Sequence, residues 1–107
     1  MSENQFEPVL IGRYQLENLQ KNRVGFLFLD VSERPSSHDL LAGRQSVQAS
    51  DALAFLAAQG VKPDAPIVLI CETGAISVGV AKVFEQNSFI NVFVIDGGLE
   101  GLKSNDS

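Results

Sequence analysis

IVLICETGAISVGVAKVFEQ, residues 67–86, leads from four aliphatic residues through the single cysteine of the chain into a helical pattern. A short apolar run without alternation is typical of a strand buried on both faces, as in a parallel sheet. After the small and polar residues that follow the cysteine, apolar side chains recur at helical spacing: Val80, Val83 and Phe84. The stretch therefore predicts a buried strand over 67–70, then Cys71, then a helix over 77–87. Asn87 is the expected end of that helix.

Two further apolar runs give the chain a repeated strand-and-helix order. Together with the first run, the predicted strands are residues 25–31, 67–71 and 91–95. Helical patterns come before and between them, at residues 14–21, 52–59 and 77–87. Ser50 and Asp51 are expected to open the middle helix and Gly60 to close it, because these residue types favour helix termini. The order predicts an α/β fold, a three-layer domain whose central, mostly parallel sheet is flanked by helices.

The length of the chain is that of one domain. With 107 residues, residues 1–107 are expected to form a single domain around one core. Gly97 and Gly98 are expected to turn the chain from the last strand into a short helical piece. Residues 103–107, KSNDS, are predicted to be a flexible tail.

The charge and composition exclude several classes of function. The net charge is −5 and the eight Lys and Arg residues are scattered, so we expect no nucleic-acid partner. The apolar runs are far shorter than a membrane span, and the first residues, MSENQFEP, lack the pattern of a secretory signal. We therefore expect no membrane partner. A single cysteine forms no internal disulfide, which favours a reducing compartment and predicts a cytoplasmic location. We expect neither a metal nor another cofactor.

Cys71 is the candidate for chemistry, because open α/β sheets bind their ligands at the carboxyl ends of their strands. Gly74 permits a backbone conformation in which the N–H groups of the loop turn inward, and the start of the next helix adds partial positive charge. Such surroundings favour thiolate over thiol and also suit a small anion. We therefore expect Cys71 to be at least partly accessible from the loop side. The alternative is a small buried hydrophobe at a strand end, with Gly74 serving only to start the helix.

Four stretches of the chain resemble, in order and spacing, the rhodanese-like domain. They are FLFLDVSERP (26–35), AGRQSVQAS (42–50), IVLICETGAIS (67–77) and VFVIDGGLEGL (92–102). That family shows a strand ending in D-V-R-E, a G-H-I-P-G-A segment, a strand ending in C-x-x-G-x-R-S and a strand ending in L-x-G-G. The resemblance covers residues 9–102 and is most specific at the cysteine loop and at residues 96–98. It is weakest at residues 43–46, GRQS, which stand where G-H-I-P would.

The resemblance implies a sulfurtransferase. In that family the cysteine attacks a sulfane sulfur donor such as thiosulfate, holds the sulfur as a persulfide and passes it to a thiophilic acceptor. Carried over, Cys71 is the nucleophile and persulfide carrier, the Ser77 hydroxyl is a hydrogen-bond donor, and Asp30 is a structural residue. The loop whose backbone N–H groups would hold the substrate consists of Glu72, Thr73, Gly74, Ala75, Ile76 and Ser77. The implied partners are a small sulfur donor or a protein persulfide, and a thiol or cyanide-like acceptor.

The chain departs from the family pattern where positive charge is expected. Ile76 stands where the loop usually carries arginine, and Ser32 stands where D-V-R has its arginine. Glu72 adds a negative charge directly after the nucleophile. Because a charge-assisted hydrogen bond to the donor is missing, we expect the dianion thiosulfate to be a poorer donor than a polysulfide or a persulfide.

The polar segment over 32–49 is where a replacement for the missing charge is sought, since a long stretch without an obvious element is often functional. Arg34 and Arg44 are the candidates to lean over the loop and bind an anion, whereas His38 is expected to be a surface residue.

Three functions fit these residues. The first is an enzyme or sulfur carrier of the sulfurtransferase class that uses Cys71. The second is a rhodanese-like module that no longer turns over and instead binds a partner or senses sulfane sulfur. The third is phosphatase chemistry, which is disfavoured because no residue from 72 to 81 is basic and phosphoryl transfer needs positive charge on the transferred group. The first is favoured, since the cysteine and the Gly74–Ser77 frame are both kept.

Overall fold

One sheet of five parallel strands forms the centre of the computed structural model, which describes residues 9–21, 25–32 and 44–98. In chain order the strands are β1 (Val9–Ile11), β2 (Leu27–Asp30), β3 (Gln45–Ser46), β4 (Ile67–Ile70) and β5 (Val92–Ile95). Across the sheet their order is β1-β5-β4-β2-β3, and every neighbouring pair is parallel. The strand that precedes the cysteine is therefore central. This confirms the predicted parallel sheet.

The two edge strands, β1 and β3, have no counterpart in the predicted order. β1 has three residues, of which Val9 and Leu10 are exposed. β3 has two residues, both exposed. Hydrophobic patterning does not reveal such strands, because neither contains a buried apolar run. Backbone pairing with the neighbouring strand sets their place, with Ile11 opposite Ile95 and Ser46 opposite Asp30.

Three helices cover the described part of the sheet: α1 (Arg13–Lys21), α2 (Ala52–Gln59) and α3 (Ala75–Gln86). A 3₁₀ turn, Ala49–Asp51, leads directly into α2. Asp51 is the N-cap residue of α2, as predicted, although its side chain makes no cap hydrogen bond, and Ser50 lies inside the turn. Gly60 ends α2 in the left-handed conformation, with φ 68°, as predicted.

The helix after the cysteine, α3, begins at Ala75, two residues before its predicted start. The reason is Gly74, whose φ of 97° completes the turn of the loop and whose carbonyl accepts a helical hydrogen bond from Val78 N–H at 3.0 Å. The buried face of α3 consists of Ser77, Val80, Ala81 and Phe84. Val83, predicted to share that face, is instead 41% exposed at its margin. Asn87 ends the helix as predicted, and its side-chain N–H donates to Val83 O at 2.8 Å.

Apolar side chains pack on both faces of β4. Alternate residues of the strand and its extension lie on the side of α2 and α3: Ile67, Leu69 and Cys71. The residues between them lie on the side of α1: Val68 and Ile70. Leu56 of α2 and Phe84 of α3 are fully buried on the first side, and Leu16 of α1 on the second. The alternation thus continues past the end of the strand and sets the side on which the cysteine lies.

Gly97 and Gly98 turn the chain after β5, both with positive φ, 74° and 61°. The short helical piece predicted beyond them, and the tail over 103–107, lie outside the described residues. Among the helices that the structure describes, none is long and apolar enough to cross a membrane.

Candidate active site

Cys71 lies directly after β4, at the carboxyl end of the central strand. Its neighbour across the sheet is the end of β2, where Val31 N–H donates to Ile70 O at 2.8 Å. The cysteine is a free thiol and is 1% exposed. The expectation that it would be at least partly accessible is therefore wrong, because Cys71 belongs to the buried core cluster on the side of α2 and α3.

The cysteine sulfur accepts two hydrogen bonds from the backbone of its own loop. Gly74 N–H donates to Cys71 Sγ at an N–S distance of 3.1 Å, and Ser77 N–H donates at 3.3 Å. Both N–H groups belong to the start of α3, where the unpaired N–H groups of the helix carry partial positive charge. Groups arranged in this way stabilise negative charge on the sulfur. Within the loop over 72–77, whose N–H groups were predicted to hold the substrate, those of Gly74 and Ser77 bind the cysteine sulfur, and this pair is here called the cradle.

The side chains of the loop contribute less to the sulfur than its backbone does. Thr73 is exposed, and its Oγ1 accepts a long hydrogen bond from Ala75 N–H at 3.5 Å. Ser77 is fully buried, and its hydroxyl has no hydrogen-bond partner among the described residues. Ile76 and Glu72 are half-buried. No hydrogen bond from the Ser77 hydroxyl to Sγ is present, although that hydroxyl was the predicted donor, and the backbone N–H of the same residue takes this place.

Gly98 supports the cysteine loop from the neighbouring strand. A Cβ at this position would overlap the carbonyl oxygen of Cys71 and lie 2.8 Å from Gly74 N and 2.9 Å from the carbonyl carbon of Glu72. The backbone after β5 therefore touches the loop that holds the sulfur. From the sequence, Gly98 is predicted only to turn the chain after the last strand. A signal was available, since paired glycines at a strand end also mark a close backbone approach.

Arg44 does not lie free over the cysteine loop. Its Nε is 3.1 Å from Oδ2 of Asp30, whose side chain is fully buried, while the Arg44 side chain is 20% exposed. The contact is an ion pair without hydrogen-bond alignment, and Oδ2 has no other partner among the described residues. The other oxygen, Oδ1, accepts Ser32 N–H at 2.9 Å. We therefore correct the interpretation of Arg44 as an anion-binding residue: its charge already neutralises a buried carboxylate.

The ion pair predicts a stability effect. Replacing Arg44 with methionine is expected to lower the free energy of unfolding by about 3 kcal/mol, because a buried carboxylate loses its counter-charge. Urea unfolding measures the change. The control is Lys62→Met, which removes a positive charge from an exposed position and is expected to have little effect. Equal unfolding midpoints for the two variants would show that the pair contributes no more than a surface contact.

The remaining predicted site residues divide by where they lie. Arg34 and His38 lie outside the described residues. Asp30 lies at the end of β2, as predicted, and its contacts with Ser32 N–H and with Arg44 are those of a structural residue. Among the described residues, no group of three His, Cys, Asp or Glu side chains is arranged to hold a metal ion.

Comparisons with known proteins show what the chain is similar to. The chain matches the family described as Rhodanese-like domain over residues 15–105. Among curated proteins it is 32% identical over 88 residues to the thiosulfate sulfurtransferase GlpE of Pseudomonas paraeruginosa. The aligned residues cover 80% of this chain and 76% of that protein.

Two solved structures illustrate the likeness of fold. The human single domain sulfurtransferase TSTD1 matches with a TM-score of 0.72 at 14% identity, over 95% of this chain and 100% of that one. A NAD-dependent persulfide reductase from A. fulgidus matches with a TM-score of 0.60 at 20% identity, over 86% of this chain. The chain spans only 15% of the length of that reductase. At these identities the two structures support the fold alone.

Proposed function

Because the chain belongs to the rhodanese-like domain family, we propose that it is a sulfurtransferase or sulfur carrier that takes up sulfane sulfur as a persulfide on Cys71. The sulfur then passes to a thiophilic acceptor such as a thiol or cyanide. The observation that carries the proposal is the pair of backbone hydrogen bonds from Gly74 and Ser77 to Sγ at the carboxyl end of the central strand. The partners proposed are therefore a sulfur donor and a sulfur acceptor.

Two displacements at sulfur make up the proposed reaction. The Cys71 thiolate attacks the sulfane sulfur of the donor, so that a bond forms between Sγ and that sulfur. The bond from that sulfur to the rest of the donor breaks, and the donor leaves with the electron pair. An acceptor then attacks the outer sulfur of the persulfide, and the electron pair returns to Sγ. No oxidant or reductant is consumed.

The cradle has a part in both steps. Before the first step and after the second, Sγ carries a negative charge, which the N–H groups of Gly74 and Ser77 stabilise. In the second step the same groups make Sγ a better leaving group. Since Cys71 is 1% exposed, a donor reaches its sulfur only after a local opening of the surrounding structure. The same burial shields the persulfide from chance acceptors.

The charges around the loop favour a donor other than thiosulfate. No residue from 72 to 81 is basic, Glu72 is acidic, and Arg44 is engaged by Asp30. Transfer from thiosulfate releases sulfite, and within the part of the chain that the structure describes no free guanidinium lies at the loop to stabilise its developing charge. A polysulfide or a protein persulfide depends chiefly on the thiolate and its backbone cradle. GlpE, the curated relative, is a thiosulfate sulfurtransferase, so the proposed shift of donor rests on the charges of this loop.

The donor proposal predicts a gain of function. Replacing Ile76 with arginine is expected to raise the rate of sulfur transfer from thiosulfate to cyanide about 10-fold, because a charge-assisted hydrogen bond to the donor is restored. The control is Gln86→Arg, which adds the same charge at an exposed position near the other end of α3. The proposal is contradicted if the wild-type chain already transfers sulfur from thiosulfate rapidly and Ile76→Arg has the same rate. The charge of the loop would then not determine the choice of donor.

A second function is favoured by one observation, the burial of Cys71. A thiol closed off in this way also suits a module that senses sulfane sulfur or binds a partner without turning over. The two functions differ in the discharge step, because a sulfurtransferase gives up its sulfur to cyanide or a thiol on every cycle and a sensor holds it. Repeated turnover with polysulfide as donor and cyanide as acceptor tests the choice. The predicted cytoplasmic location remains a prediction from the single cysteine.

A further inference from the structure

Glu72 places a negative charge directly beside the nucleophile. It follows Cys71 in the loop and is half-buried, so solvent screens its charge less than that of a fully exposed side chain. The Cα atoms of the two residues are about 3.8 Å apart, which keeps the carboxylate within roughly 12 Å of Sγ whatever the rotamers. At an ionic strength of about 0.01 M the Debye length is about 30 Å, so this charge acts on any charged compound that approaches the sulfur.

The charge of Glu72 is not neutralised within the part of the chain that the structure describes, where its carboxylate makes no ion pair and no hydrogen bond. Arg44 is paired with Asp30. Lys82, the first basic residue after Glu72, is exposed on α3 about two turns beyond the start of that helix. Asp96, exposed directly after β5, adds a second negative charge at the carboxyl edge of the sheet. Among the described side chains, this edge therefore has unpaired negative charge and no unpaired positive charge.

The proposed reaction brings charged compounds to this loop twice, once as the donor and once as the acceptor. The carboxylate of Glu72 repels an anion that approaches Sγ, and it attracts a compound with a positive charge beside its reacting sulfur. At an effective dielectric constant between those of water and of a protein interior, one such charge at about 10 Å changes a rate about 3-fold in either direction. This effect of a charge that is present at Glu72 is separate from that of the guanidinium that is absent at Ile76.

We propose that Glu72 is a specificity-determining residue of the sulfur-transfer site. It favours donors and acceptors that carry a positive charge beside the reacting sulfur and slows those that carry a negative charge. The proposal rests on the proposed function and names the charge class of its substrates. When an aminothiol is the acceptor, its thiol gives a proton to solvent, the thiolate attacks the outer sulfur of the persulfide, and a new S–S bond forms. The bond to Sγ breaks and Sγ leaves as thiolate, while the ammonium group stays protonated and is attracted by Glu72.

Alkylation of Cys71 tests the charge effect without any sulfur transfer. Iodoacetamide and iodoacetate differ by one negative charge and little in size, and the thiolate displaces iodide from both. Since Cys71 is buried, both reagents need the same local opening, and the ratio of their rates isolates the charge. In Glu72→Gln, which keeps the shape of the side chain, the ratio of the iodoacetate rate to the iodoacetamide rate is expected to rise about 3-fold at low ionic strength.

The control for both tests is Glu85→Gln, which removes the same charge from an exposed position near the other end of α3. This variant is expected to keep the alkylation ratio of the wild-type chain. Salt at about 0.5 M should reduce the difference between wild type and Glu72→Gln, because it screens the charge. An alkylation ratio that is equal in wild type and Glu72→Gln at low ionic strength would overturn the proposal.

Discharge of the persulfide tests the same residue during sulfur transfer. Protein charged with polysulfide is treated with 2-aminoethanethiol, 3-mercaptopropanoate or 2-mercaptoethanol, which carry a positive charge, a negative charge and no charge. Rate ratios are compared between variants, so that the intrinsic reactivities of the thiols cancel. In Glu72→Gln the ratio of the 2-aminoethanethiol rate to the 3-mercaptopropanoate rate is expected to fall about 10-fold, about 3-fold from each compound, while the 2-mercaptoethanol rate changes little. An unchanged ratio, or an equal fall for all three thiols, would contradict the proposal.

The two measurements separate this proposal from the proposed function. If no donor charges Cys71, the proposed function fails, whereas a changed alkylation ratio still supports charge selection by Glu72 at this thiol. If sulfur is transferred but neither ratio depends on Glu72, the charge proposal fails alone. It also fails if only the alkylation ratio changes, because Glu72 would then have no effect on the acceptor.

Discussion

Gly98→Ala is expected to lower the free energy of unfolding by about 2–5 kcal/mol and to disrupt the cysteine cradle. Two penalties combine at this position. The backbone has a φ of 61°, which a side chain resists, and the added Cβ would overlap Cys71 O and crowd Gly74 N at 2.8 Å. Because the crowded atoms are backbone, no flexible side chain can move aside. Relief requires the loop to shift, and the hydrogen bonds to Sγ shift with it.

Gly60 provides a matched control for this prediction. It has a similar φ of 68°, but a Cβ there would meet nothing within 4 Å. Gly60→Ala should therefore show only the cost of the left-handed conformation, about 1–2 kcal/mol. The difference between the free energies of unfolding of the two variants, obtained from urea unfolding, measures the cost of crowding the contact between the turn after β5 and the cysteine loop. If both lose the same stability and Gly98→Ala still forms a persulfide at the wild-type rate, the support role of Gly98 is wrong.

Cys71→Ser is expected to abolish persulfide formation with every donor and to lower sulfur transfer to cyanide by at least about 10³-fold. Serine keeps an acceptor for the N–H groups of Gly74 and Ser77. The variant should therefore fold, but its hydroxyl is a far weaker nucleophile. The chain has no other cysteine, so no second protein thiol can take over. Sulfur uptake by Cys71→Ser at the wild-type level would place the chemistry elsewhere.

The central part of the fold follows from the sequence because its signals are local. IVLI over 67–70 is uniformly apolar, and a run this short between turn-forming residues is typical of a strand buried on both faces, so β4 and its flanking helices could be predicted. The edge strands could not, because β1 and β3 are held by backbone pairing rather than by burial. Val83 was misplaced for a related reason: spacing defines a helical stripe but not its width.

At the site, the position of the sulfur could be predicted and its surroundings could not. The end of a central strand, a glycine three residues later and a following helix were enough to predict backbone N–H groups at Sγ. The close contact between Gly98 and the cysteine loop joins two segments that are far apart in the chain, since Gly98 follows Cys71 by 27 residues. The engagement of Arg44 likewise depends on the pairing of β3 with β2, which places it beside Asp30. Such contacts between distant segments leave no pattern in a local stretch of sequence.

The most direct test of the account is the intact mass of the chain after incubation with polysulfide, followed by cyanide. We expect the mass to increase by one sulfur atom, the increase to disappear after cyanide, and Cys71→Ser to show no increase. Thiosulfate in place of polysulfide should charge the wild-type chain much more slowly. If no donor adds sulfur to the wild-type chain, Cys71 is not a sulfur carrier and the domain is a binding module.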